Sequence, residues 1–190
     1  MRNGWNANSL KGSLFERVIV GFDVRKNTSL NNLSMTSWNE SIRYESLYEN
    51  CEAKLSGMNL FSTDPIYLSS ISFPKNSAII AFDLPSPYVN FLSSGSVSIP
   101  DSLSLQDLSE RWELVGFDIV DAITQTSALH GFERSASESD QVNKKLNFSL
   151  NKHGLVPDID VAVKGAIFFE LLIAEHAPFS PCGVWLKNSE

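Results

Sequence analysis

The sequence predicts an α+β fold, in the form of a single domain with a mostly antiparallel central sheet and a few packed helices. Two segments, residues 16–24 and 112–121, alternate their side chains with the period of two that is typical of β-strands. A third segment, beginning near residue 158, repeats its apolar side chains at helical spacing. Because strand-like segments follow one another with few helices between them, the pattern favours α+β over a doubly wound parallel sheet. A chain of 190 residues fits one domain, residues 1–190.

The strand predictions differ in what they say about burial. In residues 16–24, the alternation predicts that Val18, Val20, Phe22 and Val24 share one face. Residues 112–121 carry apolar groups on both faces, which is typical of a central strand. Further strands are predicted at residues 66–73, 78–84 and 145–150, with a hairpin turn at 74–76 and a terminal strand at 182–185 that completes the sheet.

The clearest helix begins at Pro157-Asp158, since proline suits the start of a helix and an aspartate caps its free N–H groups. Pro178 closes the element. Its predicted apolar face consists of Ile159, Val163, Ala166, Ile167, Leu171 and Ala174. Another helix is predicted over residues 40–55, with a strand over 42–48 as the alternative, and a short helix over 101–110.

A short sequence occurs in both halves of the chain. Val20-Gly21-Phe22-Asp23 recurs as Val115-Gly116-Phe117-Asp118, and a Leu-x-Glu-Arg sequence precedes both. Ile80-Ala81 and Ile173-Ala174 also each precede a proline-rich stretch. An internal duplication would divide the chain into residues 1–95 and 96–190. Short matches with free gaps arise by accident, so one undivided domain is the prediction and duplication is the alternative.

One segment holds the whole net charge of −7. Residues 101–140 contain nine acidic residues and only two basic ones, Arg111 and Arg134, whereas the rest of the chain balances 13 acids with 13 bases. A negative field repels nucleic acid and anionic membranes, and it steers a basic protein towards the surface. We therefore expect a basic protein partner, no direct contact with nucleic acid and no membrane binding.

Motifs for catalysis are missing from the sequence. It has no glycine-rich phosphate loop, no nucleophile elbow and no zinc motif. The histidines are dispersed at His130, His153 and His176. Asp118 and Asp121 form the best carboxylate pair, but their spacing on a strand places them on opposite faces. Asp158 and Asp160 are explained by the dipole at a helix start. We expect a protein that is not an enzyme, without cofactor or metal.

The chain shows no export signal and no membrane span. Residues 1–12 are polar, and the most apolar run, residues 161–174, is short and interrupted by charges. Cys51 and Cys182 are far apart and are expected to be reduced thiols. These features predict a cytoplasmic protein.

Residues 112–121, Trp-Glu-Leu-Val-Gly-Phe-Asp-Ile-Val-Asp, and residues 126–132, Thr-Ser-Ala-Leu-His-Gly-Phe, together resemble a segment of bacterial immunity proteins. Those proteins are encoded beside polymorphic toxins, including the contact-dependent growth inhibition systems. The shared pattern is a strand Trp-Glu-x-x-Gly-Phe/Tyr-Asp-x-x-Asp, then Ser-Ala-Leu and a Gly-aromatic pair. His130 departs from it, since Cys or Tyr is expected before Gly131. Immunity proteins have many unrelated folds, so the resemblance implies no architecture.

The resemblance implies a stoichiometric inhibitor that occludes the active site of a cognate toxin domain, for which a nuclease with a basic cleft is the expectation. The acids expected to contact it are Glu110, Glu113, Asp118, Asp121, Glu133, Glu138 and Asp140. Two alternatives stay open. One is a small metal-dependent enzyme that uses Asp118 or Asp121 with His130, and the other is a cytoplasmic scaffold or oligomer subunit. The sequence does not predict an oligomeric state.

Overall fold

The computed structural model describes residues 17–26, 33, 77–86, 88, 112–121, 126–130, 142, 144 and 150–187. Its elements, in chain order, are β1 (Arg17–Lys26), β2 (Ser77–Pro85), β3 (Trp112–Asp121), α1 (Ile159–Leu172) and β4 (Phe179–Lys187), with a 3-10 turn at Ala174–His176 between the last two. This four-stranded antiparallel sheet with one helix has the composition of a small α+β fold, as predicted.

The strand order in the sheet is β1-β2-β4-β3, and every neighbouring pair is antiparallel. The predicted terminal strand is present as β4, which lies between β2 and β3. Among the described strands, β3 ends the order, so the prediction that residues 112–121 form a central strand is wrong for this part of the sheet. Apolar groups occupy both of its faces because both faces are covered. Residues 126–128 and 154–156 line the outer edge of β3 through the bridges Val120↔Ser127 and Phe117↔Val156.

The predicted strands at residues 16–24, 78–84 and 112–121 correspond to β1, β2 and β3. The single-face prediction for β1 is wrong, because a bulge at Val20 separates the pairs that Ile19 and Gly21 make with β2. A bulge adds one residue to the strand and so reverses the alternation that follows it. Phe22 is therefore paired with Ala81, on the face opposite Val18, which is paired with Leu84.

Several predicted elements lie outside the described residues. They are the helices over 40–55 and 101–110, the strand over 66–73, the turn at 74–76 and, apart from Leu150, the strand over 145–150. Leu150 itself is not in a strand.

A separate hydrophobic core packs on each face of the sheet. The first core contains Val20, Leu33, Ile80, Phe82, Leu84, Val120, Leu155, Cys182 and Val184. The helix-side core contains Phe117, Ile119, Ala128, Val142, Val156, Ala162, Ala166, Phe169 and Phe179. Successive residues of β3, such as Ile119 and Val120, enter different cores because side chains alternate along a strand.

Helix α1 begins where the sequence predicts. The Asp158 side chain caps it by accepting a hydrogen bond of 3.0 Å from the Val161 N–H. Its buried residues are Ala162, Val163, Gly165, Ala166 and Phe169. The small side chains among them let the helix backbone approach the sheet closely. Leu171 was predicted on the apolar face, but 80% of it is exposed, because it lies outside the set of buried positions of the helix.

Phe169 is the largest side chain that α1 contributes to the helix-side core, and its ring lies 5.9 Å from that of Phe179. We expect Phe169→Ala to lower the free energy of unfolding by about 3–5 kcal/mol, because it leaves a cavity in a closed core. Urea denaturation measures this loss. Leu171→Ala is the control on the same helix, with an expected change within about 0.5 kcal/mol because this side chain is exposed. Similar losses for the two variants would contradict this account of the helix.

Candidate functional site

The structure describes three of the seven acids that the sequence analysis assigned to partner binding. Glu113 is exposed near the start of β3. Asp118 and Asp121 are fully buried, so the expectation that they face a partner is wrong for both. They are buried because the second half of β3 is covered on both faces and along its outer edge. The other four acids, Glu110, Glu133, Glu138 and Asp140, lie outside the described residues.

Hydrogen bonds to the Asp118 side chain hold the turn at residues 126–130 against β3. Its Oδ1 accepts hydrogen bonds from the Ser127 hydroxyl at 2.7 Å and from the Ile119 N–H at 2.8 Å. The Ser127 oxygen accepts in turn from the Leu129 and His130 N–H groups, each at 3.2 Å. A buried carboxylate needs such donors, because an unsatisfied charge in the interior is costly. Asp118 therefore has a structural role in these contacts.

The segment that carries the resemblance to immunity proteins is one connected unit. Beside the hydrogen bonds of Asp118, the Ala128 N–H donates to the Ile119 carbonyl at 2.6 Å, and the Asp121 N–H donates to the Thr126 carbonyl at 3.0 Å. Ala128 is fully buried in the helix-side core. The quoted pattern Asp-x-x-Asp followed by Ser-Ala-Leu thus describes a strand and the turn that folds back along it.

Asp121 lies on the face of β3 opposite Asp118. Its Oδ2 is 3.5 Å from Nδ1 of His176, which stands in the 3-10 turn between α1 and β4 and is 38% exposed. The His130 Nε2 is 2.8 Å from the Gly154 carbonyl oxygen. The three side chains of the hypothetical metal enzyme, Asp118, Asp121 and His130, therefore do not converge. Within the described part of the chain, no group of three histidine, cysteine, aspartate or glutamate side chains could hold a metal ion.

A buried polar side chain with several partners is Asp83 of β2, which the sequence analysis did not select. Its carboxylate is buried and accepts hydrogen bonds from Arg17 Nε at 2.6 Å, from Trp185 Nε1 at 2.6 Å and from the Gly183 N–H at 3.0 Å. The sequence signal was an acid inside the apolar run of residues 79–84. An acid in such a run is exceptional and marks a buried charge with a partner.

Arg17 extends this cluster across the sheet. Its NH2 group donates to the Asp83 carbonyl at 3.2 Å and to the Pro181 carbonyl at 3.0 Å. Its guanidinium carbon lies 5.7 Å from the centre of the Phe117 ring, within the range of a cation–π contact. We call Arg17, Asp83, Phe117, Gly183 and Trp185 the Asp83 cluster; it draws one or more side chains from each of the four described strands.

Gly183 is required by the cluster, because a Cβ at this position would lie 2.5 Å from Asp83 Oδ1. The carboxylate occupies the space above the β4 backbone that any other residue would fill. Neighbouring Cys182 points into the first core, and burial, with a smaller contribution from the charges of Asp83 and Asp118, raises the pKa of its thiol well above the usual range. The described cysteine is thus a core residue.

Removing the cation of the Asp83 cluster should be costly. We expect Arg17→Met to lower the free energy of unfolding by about 3–5 kcal/mol, because it leaves a buried carboxylate without its charged partner. The double variant Arg17→Met/Asp83→Asn should be more stable than Arg17→Met, since no buried charge then remains. A double-mutant cycle in urea measures the coupling, and simply additive losses would contradict the pairing.

Glu170 of α1 is half-buried, and burial raises the pKa of its carboxyl group above the ordinary value. The hydrogen bond of 3.2 Å that it accepts from the Phe179 N–H lowers the pKa, but by less. The folded state therefore binds this proton more tightly than the unfolded chain does. The resulting stabilisation is fully present below the unfolded pKa of 4.5 and is lost as the pH rises through the folded value.

Glu170→Gln keeps an oxygen for the Phe179 N–H and removes the charge. We expect the variant to gain stability relative to the parent as the pH is raised from about 4 to about 7. Thermal melts at both pH values measure the difference. Glu175→Gln, at an exposed glutamate in the following turn, should show no such trend. A stability difference between Glu170→Gln and the parent that is the same at both pH values would refute the proposed burial of charge.

Comparisons of the chain with protein-family models, with curated proteins and with solved structures find no match. The likeness to bacterial immunity proteins rests on residues 112–121 and 126–132 and stays a prediction. Among the helices that the structure describes, none is long and apolar enough to cross a membrane.

Proposed function

We propose that the protein is a cytoplasmic immunity protein, which binds the toxin domain of a bacterial polymorphic toxin and covers its active site. The observation that carries the proposal is the excess of negative charge in residues 101–140, which contain nine acids and two arginines. The resemblance of residues 112–121 and 126–132 to immunity proteins supplies the class of partner. Neither feature requires catalysis by this chain.

The buried side chains of the segment narrow the set of acids available for docking. Asp118 is engaged by Ser127, and Asp121 faces His176, so both are removed from the set. The acids that remain are Asp101, Asp107, Glu110, Glu113, Glu133, Glu138 and Asp140. They fall into one group that leads into β3 and one that follows the turn at residues 126–130. Both groups adjoin the strand-and-turn unit in sequence, and we propose that acids of these groups contact the toxin domain.

Arg17 does not compensate these acids, because its guanidinium is committed to the buried Asp83 carboxylate. The start of β3 offers two exposed side chains, Glu113 and the 40% exposed Leu114, which lie on opposite faces of the strand. Charges at the rim of an interface mainly set the association rate, while apolar groups at its centre hold the complex. The exposed carboxylate of Glu113 suits the rim of a contact with a basic nuclease cleft, with which nucleic acid would otherwise associate.

Co-expression with the protein encoded immediately upstream tests the proposal directly. We expect a stoichiometric complex on co-purification and loss of the toxic activity of its C-terminal domain. A toxin domain that neither binds the protein nor is neutralised by it would overturn the proposal. The mass of the free protein in solution separately examines the alternative of a scaffold or oligomer subunit.

Charge reversal tests whether the acidic segment contributes more to association with the toxin domain than acids elsewhere on the surface. We expect Glu133→Lys/Glu138→Lys to slow association with the toxin domain about tenfold at low ionic strength, with a smaller effect as salt is added. Stopped-flow or surface-binding kinetics measure the rate constant. The matched control is Asp160→Lys/Glu175→Lys, which makes the same change in net charge at exposed residues of α1 and the turn after it. Equal on-rates for the two double variants would exclude residues 133–138 from the docking surface.

A further inference from the structure

The two outer strands and the two inner strands of the sheet are related by an approximate twofold symmetry. β1 and β3 are each ten residues long, and β2 and β4 are each nine. The order β1-β2-β4-β3 reads as one strand pair followed by the same pair reversed. A twofold rotation about an axis normal to the sheet would exchange β1 with β3 and β2 with β4.

The register of the two pairs is identical. Adding 95 to the residue number in β1 and 102 to that in β2 converts each of the nine pairs of β1·β2 into a pair of β3·β4, from Arg17↔Pro85 and Trp112↔Lys187 onwards. Both pairs also have a bulge at the same place. It falls between Ile19 and Gly21 in β1, and between Leu114 and Gly116 in β3. This is the position of the repeated Val-Gly-Phe-Asp sequence.

The contact between the two pairs obeys the same rotation. Phe82 and Val184 are equivalent by this numbering, and they are directly opposite one another in β2·β4. The pair Ala81↔Trp185 becomes Asp83↔Gly183, which is also present. The axis therefore passes between Phe82 and Val184.

Two side-chain contacts that cross the sheet are also related by the rotation. Arg17 of β1 lies over the Phe117 ring of β3 at 5.7 Å, and the ring of Trp112 of β3 lies 5.7 Å from that of Phe22 of β1. Arg17 is equivalent to Trp112, and Phe22 to Phe117. In each case, the first residue of one outer strand reaches the phenylalanine of the repeated sequence in the other.

We propose that the chain contains an internal duplication, in which the pairs β1·β2 and β3·β4 are the equivalent parts of two units that associate through β2 and β4. The boundary lies in residues 86–111, close to the division at 95 and 96 considered from the sequence. The echo of Ile80-Ala81 with Ile173-Ala174 does not belong to it, since the first is in β2 and the second follows α1. The β2·β4 seam is then an isologous interface contained in one chain, and the partner that fits each unit is the other unit.

The chief departure from symmetry has a physical reason. Asp83 and Trp185 are equivalent positions, and the Trp185 Nε1 donates to the Asp83 carboxylate at 2.6 Å. Between two identical units, this position would contact itself across the axis. Two buried carboxylates would then repel each other, and two indoles would bring two donors together without an acceptor. A duplicated chain can place an acceptor in one unit and a donor in the other.

Moving the Asp83 cluster to the positions related to it by the twofold rotation tests whether the two units are equivalent. A six-position variant carries Arg17→Trp, Ala81→Gly, Asp83→Trp, Trp112→Arg, Gly183→Ala and Trp185→Asp, which rotates the Asp83 cluster about the axis. The comparison variant, Asp83→Trp/Trp185→Asp, moves the carboxylate without its arginine and its glycine. We expect the six-position variant to unfold cooperatively and at a higher temperature than the two-position variant. A midpoint no higher than that of the two-position variant overturns the proposal.

A circular permutant tests the units without changing the core. The chain is opened within residues 86–111, and its ends are joined by seven glycine and serine residues. With the 3 residues after Lys187 and the 16 before Arg17, this restores the 26 residues that now lead from β2 to β3. We expect a midpoint within about 5 °C of the parent. The control is opened within residues 131–141 and joined identically, which separates β3 from β4, and its midpoint should be lower. Equal midpoints, or the reverse order, contradict the proposed units.

Discussion

The buried carboxylate of Asp83 constrains the arrangement of the described sheet. A charge inside a protein must be neutralised and given hydrogen-bond donors, and here the donors come from Arg17, Trp185 and Gly183. Arg17 in turn reaches the Pro181 carbonyl and the Phe117 ring. A displacement of any strand in the sheet would lengthen one or more of these contacts. The cluster therefore specifies the strand arrangement, whereas the two apolar cores supply most of the favourable free energy through burial.

The cluster also explains two features of the strands around it. The bulges in β1 and β3 shift the side-chain alternation, so that Phe22 and Phe117 lie on the same face as the residues that begin their strands. The side chains of Arg17 and Trp112 can then extend across the central strands to these rings. The residues that are paired with Phe22 and Phe117, Ala81 and Gly183, are small. At Gly183, even a Cβ would displace the Asp83 carboxylate. Backbone irregularity, small residues and the buried charge thus depend on one another.

Local regularities could be predicted from the sequence, whereas relations between distant segments could not. The alternation in residues 112–121 and the capping aspartate at residue 158 are local signals, and they located β3 and the start of α1. The interior position of β4 depends on pairing with strands encoded about 100 and 60 residues earlier, for which a single sequence has no signal. The bulge at Val20 was missed because it changes the alternation without requiring a change in residue type. Asp118 and Asp121 appeared exposed because aspartate usually is, and their partners Ser127 and His176 are identified only in the folded chain.

The burial of Asp118 shows that the resemblance to immunity proteins and the exposed acidic charge belong to different residues of the segment. The residues that resemble immunity proteins, namely the aspartates of β3 and the Ser-Ala-Leu turn, hold that strand and turn together. A contact surface for a toxin would have to use other side chains, because groups buried in the fold cannot meet a partner without unfolding it. Among the described acids of the segment, Glu113 is exposed and lies outside the buried hydrogen bonds. In the immunity protein proposed above, contact residues outside this buried network could be substituted without loss of the hydrogen bonds that hold the strand and the turn together.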